Sequence, residues 1–277
     1  MEAVMDTLNL KKIAQNVRIN IIKMLAEAKS GHPGGSLSMV DILTVLYFEK
    51  MNIDIKNPKW ENRDRLVLSK GHGAPGLYSV LAERGFFKKE ELLKLRKCGA
   101  MLQGHPDMKG TPGVDMSTGS LGQGLSVANG MAMAGKLDGK DYRVYAIAGD
   151  GEIQEGQIWE AAMSSAHYKL DHLTLFIDHN GLQIDGSNDE IMGVNPIPEK
   201  FRAFGWNVIE INGHDFEQIE AAITMAQTIK GRPTVIVAET IKGKGVSFME
   251  NQVGWHGKAP SLEQRDQAVA ELESGEK

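Results

Sequence analysis

One cysteine, Cys98, in 277 residues excludes an intrachain disulfide scaffold and fits a reducing, cytoplasmic setting. Long apolar runs are missing as well, and nothing approaches the roughly 18 residues that a membrane span requires, so no membrane partner is expected. The N-terminal stretch scatters charges through its apolar positions, which excludes a secretory signal peptide. Charge of one sign is scarce: the net charge is −5 and the sequence pI is near 5.9. General nucleic-acid binding is excluded on that ground. The modest charge, set beside a hydrophobic fraction of 42%, also excludes a disordered chain. No repeat, low-complexity tract or linker divides the sequence, so residues 1–277 read as one domain. Glycine, by contrast, is plentiful at 31 residues, and its placement directs the rest of the reading.

Leu10, Ile13, Val17, Ile21, Met24 and Leu25 fall at helical spacing and predict a helix over 7–29. After a Gly-Pro break at 30–35, a second apolar helix is predicted over 38–50. A short strand at 66–68 runs into Ser69-Lys70-Gly71-His72-Gly73, and helices follow near 75–84 and 89–97. The aperiodic stretch 99–117, rich in Gly, Pro and Asp, is long enough for a loop to signal function. Beyond it, apolar or β-branched runs at 144–148, 173–177, 208–211 and 234–238 alternate with helical patterns at 155–169, 198–204 and 215–229. That order predicts an α/β fold, a doubly wound, mostly parallel sheet with helices on both faces. An acidic terminal helix from about 261 is expected to fray over 274–277.

Ligands of such folds bind outside the carboxyl ends of the strands, and the punctuation of this sequence collects there. Gly149-Asp150-Gly151 ends one strand, Asp178-His179-Asn180-Gly181 the next, and Glu239-Thr240-Ile241-Lys242-Gly243 a third. Asp150 would repel a phosphate unless a cation stood between them. Alone it reads more simply as a helix cap in a tight turn. Its match with Asn180 on the neighbouring strand end points instead to hard oxygen ligands for Mg²⁺ or Ca²⁺, bridging to a diphosphate. Four histidines occupy glycine- or proline-flanked loops: His32, His72, His105 and His256. Imidazole donates to phosphates and hydroxyls and moves protons near neutral pH, whereas neither spacing nor cysteine usage fits zinc. His214 belongs most simply to a turn before a helix capped by Asp215. The turn 118–124 leads into a helix of small residues, with a packing face as its plainest reading. No complete dinucleotide fingerprint, Walker motif or nucleophile elbow is present.

Together these segments resemble the N-terminal, diphosphate-binding half of the transketolase family. The resemblance runs nearly the whole chain, through SGHPGGS at 30–36, LSKGHG at 68–73, QGHP at 103–106, STGSLGQG at 117–124, GDGEIQEGQIWEA at 149–161, DHNGLQIDG at 178–186 and WHG at 255–257. It implies thiamine diphosphate as cofactor, with Asp150, Asn180 and the Leu182 carbonyl on the metal. His72, His256 and the Gly151 backbone would meet the diphosphate, Gly119 and Leu121 the aminopyrimidine, and Ile184 and Ile241 the rings. His32, His105 and His256 would line the sugar channel, and Glu155 would join a carboxylate network at a subunit boundary. His179 departs from the carboxylate or amide that the family commonly places before the metal asparagine.

Usual transketolases continue with a pyrimidine-binding domain and a C-terminal domain. The resemblance therefore implies one subunit of a split enzyme, paired with a chain carrying the pyrimidine domain, in two copies of each. Its implied reaction moves a two-carbon glycolaldehyde unit from a ketose phosphate to an aldose phosphate, within the pentose phosphate pathway. Lys242, Lys244 and Lys258 would reverse the negative field locally, although each alone reads equally as a surface lysine. Other readings are the alpha chain of a 2-oxo acid dehydrogenase, a deoxyxylulose-phosphate synthase-like enzyme and a non-catalytic cofactor-binding paralogue.

Overall fold

The computed structural model describes residues 7–275. In chain order, α1 (Thr7–Ala28), α2 (Pro33–Leu37) and α3 (Val40–Val45) precede β1 (Arg65–Leu68). Helices α4 (Ala74–Arg84) and α5 (Gln123–Leu137) then lead to β2 (Val144–Gly149), and α6 (Gly156–His167) to β3 (Leu173–His179). Helices α7 (Asn188–Ile191) and α8 (Ile197–Ala203) lead to β4 (Asn207–Asn212), α9 (Phe216–Thr228) to β5 (Thr234–Glu239), and α10 (Leu262–Ser274) follows. The strands stand in the order β1-β2-β3-β5-β4, and every neighbouring pair is parallel.

Period-two alternation along the strands divides the core into two layers. Tyr145, Ile147, Phe176 and Ile236 face the layer built with α1, α3, α4 and α9. Val144, Ala146, Leu175, Ile177 and Val235 face the layer built with α5, α6 and α8. Both faces are thus covered, which is why β2, β3 and β5 are almost wholly apolar. At the edge, β4 buries Ile211 alone and carries Asn207, Glu210 and Asn212 among its other positions.

Two elements differ from the sequence expectation. The second helix begins at Pro33 rather than 38 and runs in pieces, ending in a π-turn over Leu46–Lys50. Proline is at home in the first helical turn. A side chain at Gly34 would press on Lys242 and the Trp255 carbonyl at about 3 Å, so that glycine serves close packing rather than a loop. The segment expected as a helix over 89–97 forms only a 3₁₀ turn, Lys89–Lys94. Leu92 and Leu95 are both buried, and their three-residue spacing suits that tighter turn. The expected fraying at 274–277 extends beyond the described residues; within them, Gly275 closes α10 in the left-handed conformation. Among the described residues, no helix is long and apolar enough to cross a membrane.

Candidate active site

The carboxyl ends of β1, β2, β3 and β5 converge on a cavity of about 300 Å³. One of its walls is made of oxygen. Asp150, directly after β2, is 2% exposed. Its Oδ1 accepts from the Gly151 N–H at 2.8 Å and its Oδ2 from the Gly181 N–H at 2.6 Å. Among the described residues it forms no ion pair. Burial, then the nearby Asp178 carboxylate, pushes its pKa up. Asn180, after β3, directs its amide nitrogen to Asp178 Oδ2 at 3.3 Å, and its Oδ1 accepts from the Leu182 N–H at 3.2 Å. The Leu182 carbonyl accepts from the Lys242 ammonium at 3.0 Å. Carboxylate, amide and carbonyl oxygens therefore share one side of the cavity, and one of them already faces a cation.

A second part of the lining is imidazole. The rings of His32, His72 and His256 form a triangle with centroid separations of 5.3, 5.6 and 5.2 Å. Burial, reinforced by Lys70, pushes the His72 pKa down to about 2. Burial with Lys242 brings His256 to about 3, and His32 is lowered by burial, then Arg96 and His105. All three are neutral near pH 7, each ring offering one donor and one acceptor. His32 Nδ1 is buried without a hydrogen-bond partner, an atom poised for a ligand.

Lys242, expected from sequence as a local cation, is joined at the site by charged groups that the sequence reading did not single out. Lys70, two residues past β1, is fully buried, donating to the Gly35 carbonyl at 2.7 Å and to Asp178. Burial alone would raise the Asp178 pKa, but Lys70, Ser38 and Thr240 outweigh it and hold the carboxyl below its usual range. Lys242 is 2% exposed. Burial, then repulsion from Lys70, lowers its pKa to about 8, and its ammonium stands 2.9 Å from His256 Nδ1. Glu152 accepts from the Ser69 hydroxyl and from the Gly122 and Gly149 N–H groups, tying the turns after β1 and β2 to the one that opens α5. Arg96, in a left-handed conformation with φ 61, adds positive charge beside His32 and His105. The signal for Lys70 and Lys242 was their place just past a strand, where a parallel sheet puts its ligand groups.

Of the residues singled out from sequence, His32, His72, Gly119, Leu121, Asp150, Gly151, Asn180, Leu182, Ile184 and His256 all line the cavity. The turn at Gly119 is pressed against Gly71, whose missing side chain would come within 2.7 Å of the Gly119 nitrogen. Leu121 and Ile184 form an exposed apolar rim, 38% and 63% accessible. Three residues stand apart. His105 is exposed, packs its ring on Gly119, and is near enough to His32 to lower that ring's pKa. Ile241 is set back, its N–H bonded to His214. Glu155 is exposed at the start of α6. His179 is bonded to Glu239 at 2.5 Å, which raises its pKa. His167 is exposed, and His172 bonds the Tyr142 carbonyl.

The family model for the transketolase thiamine diphosphate binding domain matches residues 9–274. The chain is 48% identical to the 6-deoxy-6-sulfo-D-fructose transketolase subunit of a Clostridium species, over 96% of this chain and 97% of the relative. It is 42% identical to an apulose-4-phosphate transketolase subunit from Phocaeicola vulgatus, over 96% of this chain and 94% of that relative. Human transketolase is 41% identical over 96% of this chain, which spans 42% of that longer protein. The crystal structure of transketolase from Campylobacter jejuni superposes with a TM-score of 0.91 at 34% identity, over 97% of this chain and 43% of that one. The cavity at the strand ends thus lies in a chain that belongs to the transketolase family, as its thiamine diphosphate binding domain.

Proposed function

We propose that this chain is the thiamine diphosphate- and divalent-cation-binding subunit of a transketolase. It moves a glycolaldehyde unit from a ketose phosphate to an aldose phosphate, together with a second chain that carries the pyrimidine domain, in two copies of each. The observation that carries this reading is one cavity lined by Asp150, buried and forming no ion pair among the described residues, together with three neutral imidazoles.

The residues present fit both groups. A buried carboxylate without a cationic partner is costly, and Asp150, Asn180 Oδ1 and the Leu182 carbonyl are the oxygen donors that Mg²⁺ or Ca²⁺ takes. His72, His256 and Lys242 offer donors to a diphosphate. The Leu121 and Ile184 rim offers apolar contact to flat heterocycles. When bound, the coenzyme supplies the carbon nucleophile for the transfer.

The protein's part is to hold and orient. His32, its Nδ1 unpartnered, accepts from or donates to a sugar hydroxyl, and His256 and His105 hold neighbouring hydroxyls and move their protons. Arg96 and Lys242 set a positive local field in a chain of net negative charge. A partner chain is supported by relatives named as subunits that match this chain along nearly their whole length. Glu155, exposed beside the Gly119–Gly122 turn, faces outward where that chain would meet it.

Mixing the chain with its partner and assaying ketol transfer tests the reading. The donor panel includes ketose phosphates and the two compounds that name the relatives, 6-deoxy-6-sulfo-D-fructose and apulose 4-phosphate. Little transfer by the chain alone and robust transfer on mixing is the expected result. Full turnover by this chain alone would contradict the split assembly, and decarboxylation of 2-oxo acids without ketol transfer would contradict the reaction.

A further inference from the structure

The turn carrying Lys242 is gripped from behind by buried side chains that take no part in lining the cavity. His214 lies between β4 and α9, where Asp215 caps the helix as expected. The His214 side chain does more than fill a turn: it is 11% exposed and reaches across to two other elements. Its Nε2 accepts from the Ile241 N–H at 2.9 Å, so that nitrogen carries no proton. The ring proton is therefore on Nδ1, which donates to Asp41 Oδ2 at 2.8 Å.

Asp41, on α3, is gripped in turn by Arg18 of α1 through two bonds of 2.9 and 2.6 Å. Burial works against the Asp41 charge, but Arg18 and His214 prevail and hold the carboxyl below its usual range. Arg18 Nε also donates to the Lys244 carbonyl at 3.3 Å, and the Gly243 N–H donates to the Gly34 carbonyl at 3.0 Å. The backbone is thus tied at 241, 243 and 244. Lys242 lies inside that bracket, the one residue of the four whose side chain enters the cavity.

We propose that His214, backed by Asp41 and Arg18, is a positioning residue: through the Ile241 amide it presents the Lys242 ammonium to the diphosphate. The reference to a diphosphate rests on the functional reading above, whereas the fixing of the turn does not. A bland alternative has His214 merely satisfying Asp41. Two substitutions separate these roles, because each keeps one half of the imidazole. His214→Asn keeps a donor for Asp41 and loses the acceptor for Ile241; His214→Gln keeps an acceptor near Nε2 and loses the donor near Nδ1.

The experiment uses the full chain with its partner and two readouts. Amide hydrogen exchange over 241–243 reports the turn without any cofactor. Calorimetric titration with thiamine diphosphate and Mg²⁺, and with inorganic pyrophosphate as a second probe, reports its consequence. His214→Asn is expected to speed exchange at Ile241 about tenfold and to weaken both ligands about tenfold, the scale of one orphaned buried donor. His214→Gln is expected to stay within about threefold of the parent. In a Lys242→Met background, His214→Asn is expected to cost no further affinity. The reverse order, Gln harmful and Asn harmless, would overturn the proposal, as would equal exchange in all three proteins. A parent that binds neither probe would instead count against the cofactor reading, leaving the exchange result to decide this one. Should His214→Asn fail to fold, nitrogen-15 spectra of the parent decide: a bare Nε2 is expected, and a protonated one would overturn the proposal.

Discussion

Asp150 and His72 line one cavity, and burial has shifted them in opposite directions. The oxygen wall keeps its donor set in place with backbone: Gly151 and Gly181 amides on Asp150, the Leu182 amide on Asn180. The histidine wall is held by ring packing and has lost its charge to desolvation, His72 and His256 most of all. A wall with fixed lone pairs and a buried carboxylate outside any ion pair among the described residues calls for a cation. A wall of neutral rings calls for a ligand that needs donors and acceptors at once, as phosphate oxygens and sugar hydroxyls do. The two walls are therefore expected to fail differently when altered.

The largest effect is expected at Asp150. Asp150→Ala removes the only carboxylate of the proposed donor set and is expected to weaken Mg²⁺-dependent cofactor binding about a thousandfold, read by calorimetry. Unchanged affinity would break the contrast between the walls. Among the histidines, His105→Ala is expected to lower turnover about a hundredfold while cofactor retention stays within about threefold. Comparable loss of cofactor would move that ring from the sugar to the diphosphate.

Gly71→Ala forces a methyl group into the Gly119 backbone. The expected cost is about 1–3 kcal/mol by urea unfolding, with weaker cofactor binding because the Gly119–Leu121 turn must shift. The neutral rings also make the apoprotein sensitive to acid. His72 and His256 have folded values far below their usual 6.5, so below pH 6.5 the unfolded chain takes up protons that the folded chain refuses. Their contribution is fully present above that pH and is lost as pH falls from 6.5 toward 3. The urea midpoint is expected to drop across this window, and less steeply in a His72→Gln, His256→Gln variant. An equal slope in both proteins would mean that other groups carry the acid sensitivity. The smallest effect is expected at Glu155: Glu155→Gln leaves stability within about 0.5 kcal/mol, while ketol transfer with the partner chain falls.

What could be read from sequence followed the strength of the local signal. β2, β3 and β5 were legible because strands covered on both faces are almost wholly apolar. Asp150 and Asn180 were legible because glycine marks the strand ends that bear them. Helix α2 was not, since Gly34, which looked like part of a break, is a packing contact set by Lys242 and Trp255, far away in the chain. Lys70 and Glu152 were not singled out until the fold supplied their partners, and nothing local distinguishes a lysine paired with Asp178 from a solvated one. His214 shows the same limit: its partners Asp41 and Ile241 come from other elements, so only the cap at Asp215 was visible.

The central claim is that an acid after β2 and an amide after β3 hold the cation that carries the cofactor's diphosphate. Crystals grown with thiamine diphosphate and Mn²⁺, measured at a wavelength where manganese scatters anomalously, test it most directly. The account expects one strong anomalous peak in contact with Asp150, Asn180 and the Leu182 carbonyl, with diphosphate density between that peak and the rings of His72 and His256. A manganese peak elsewhere, or diphosphate bound with no metal at those three oxygens, would contradict it.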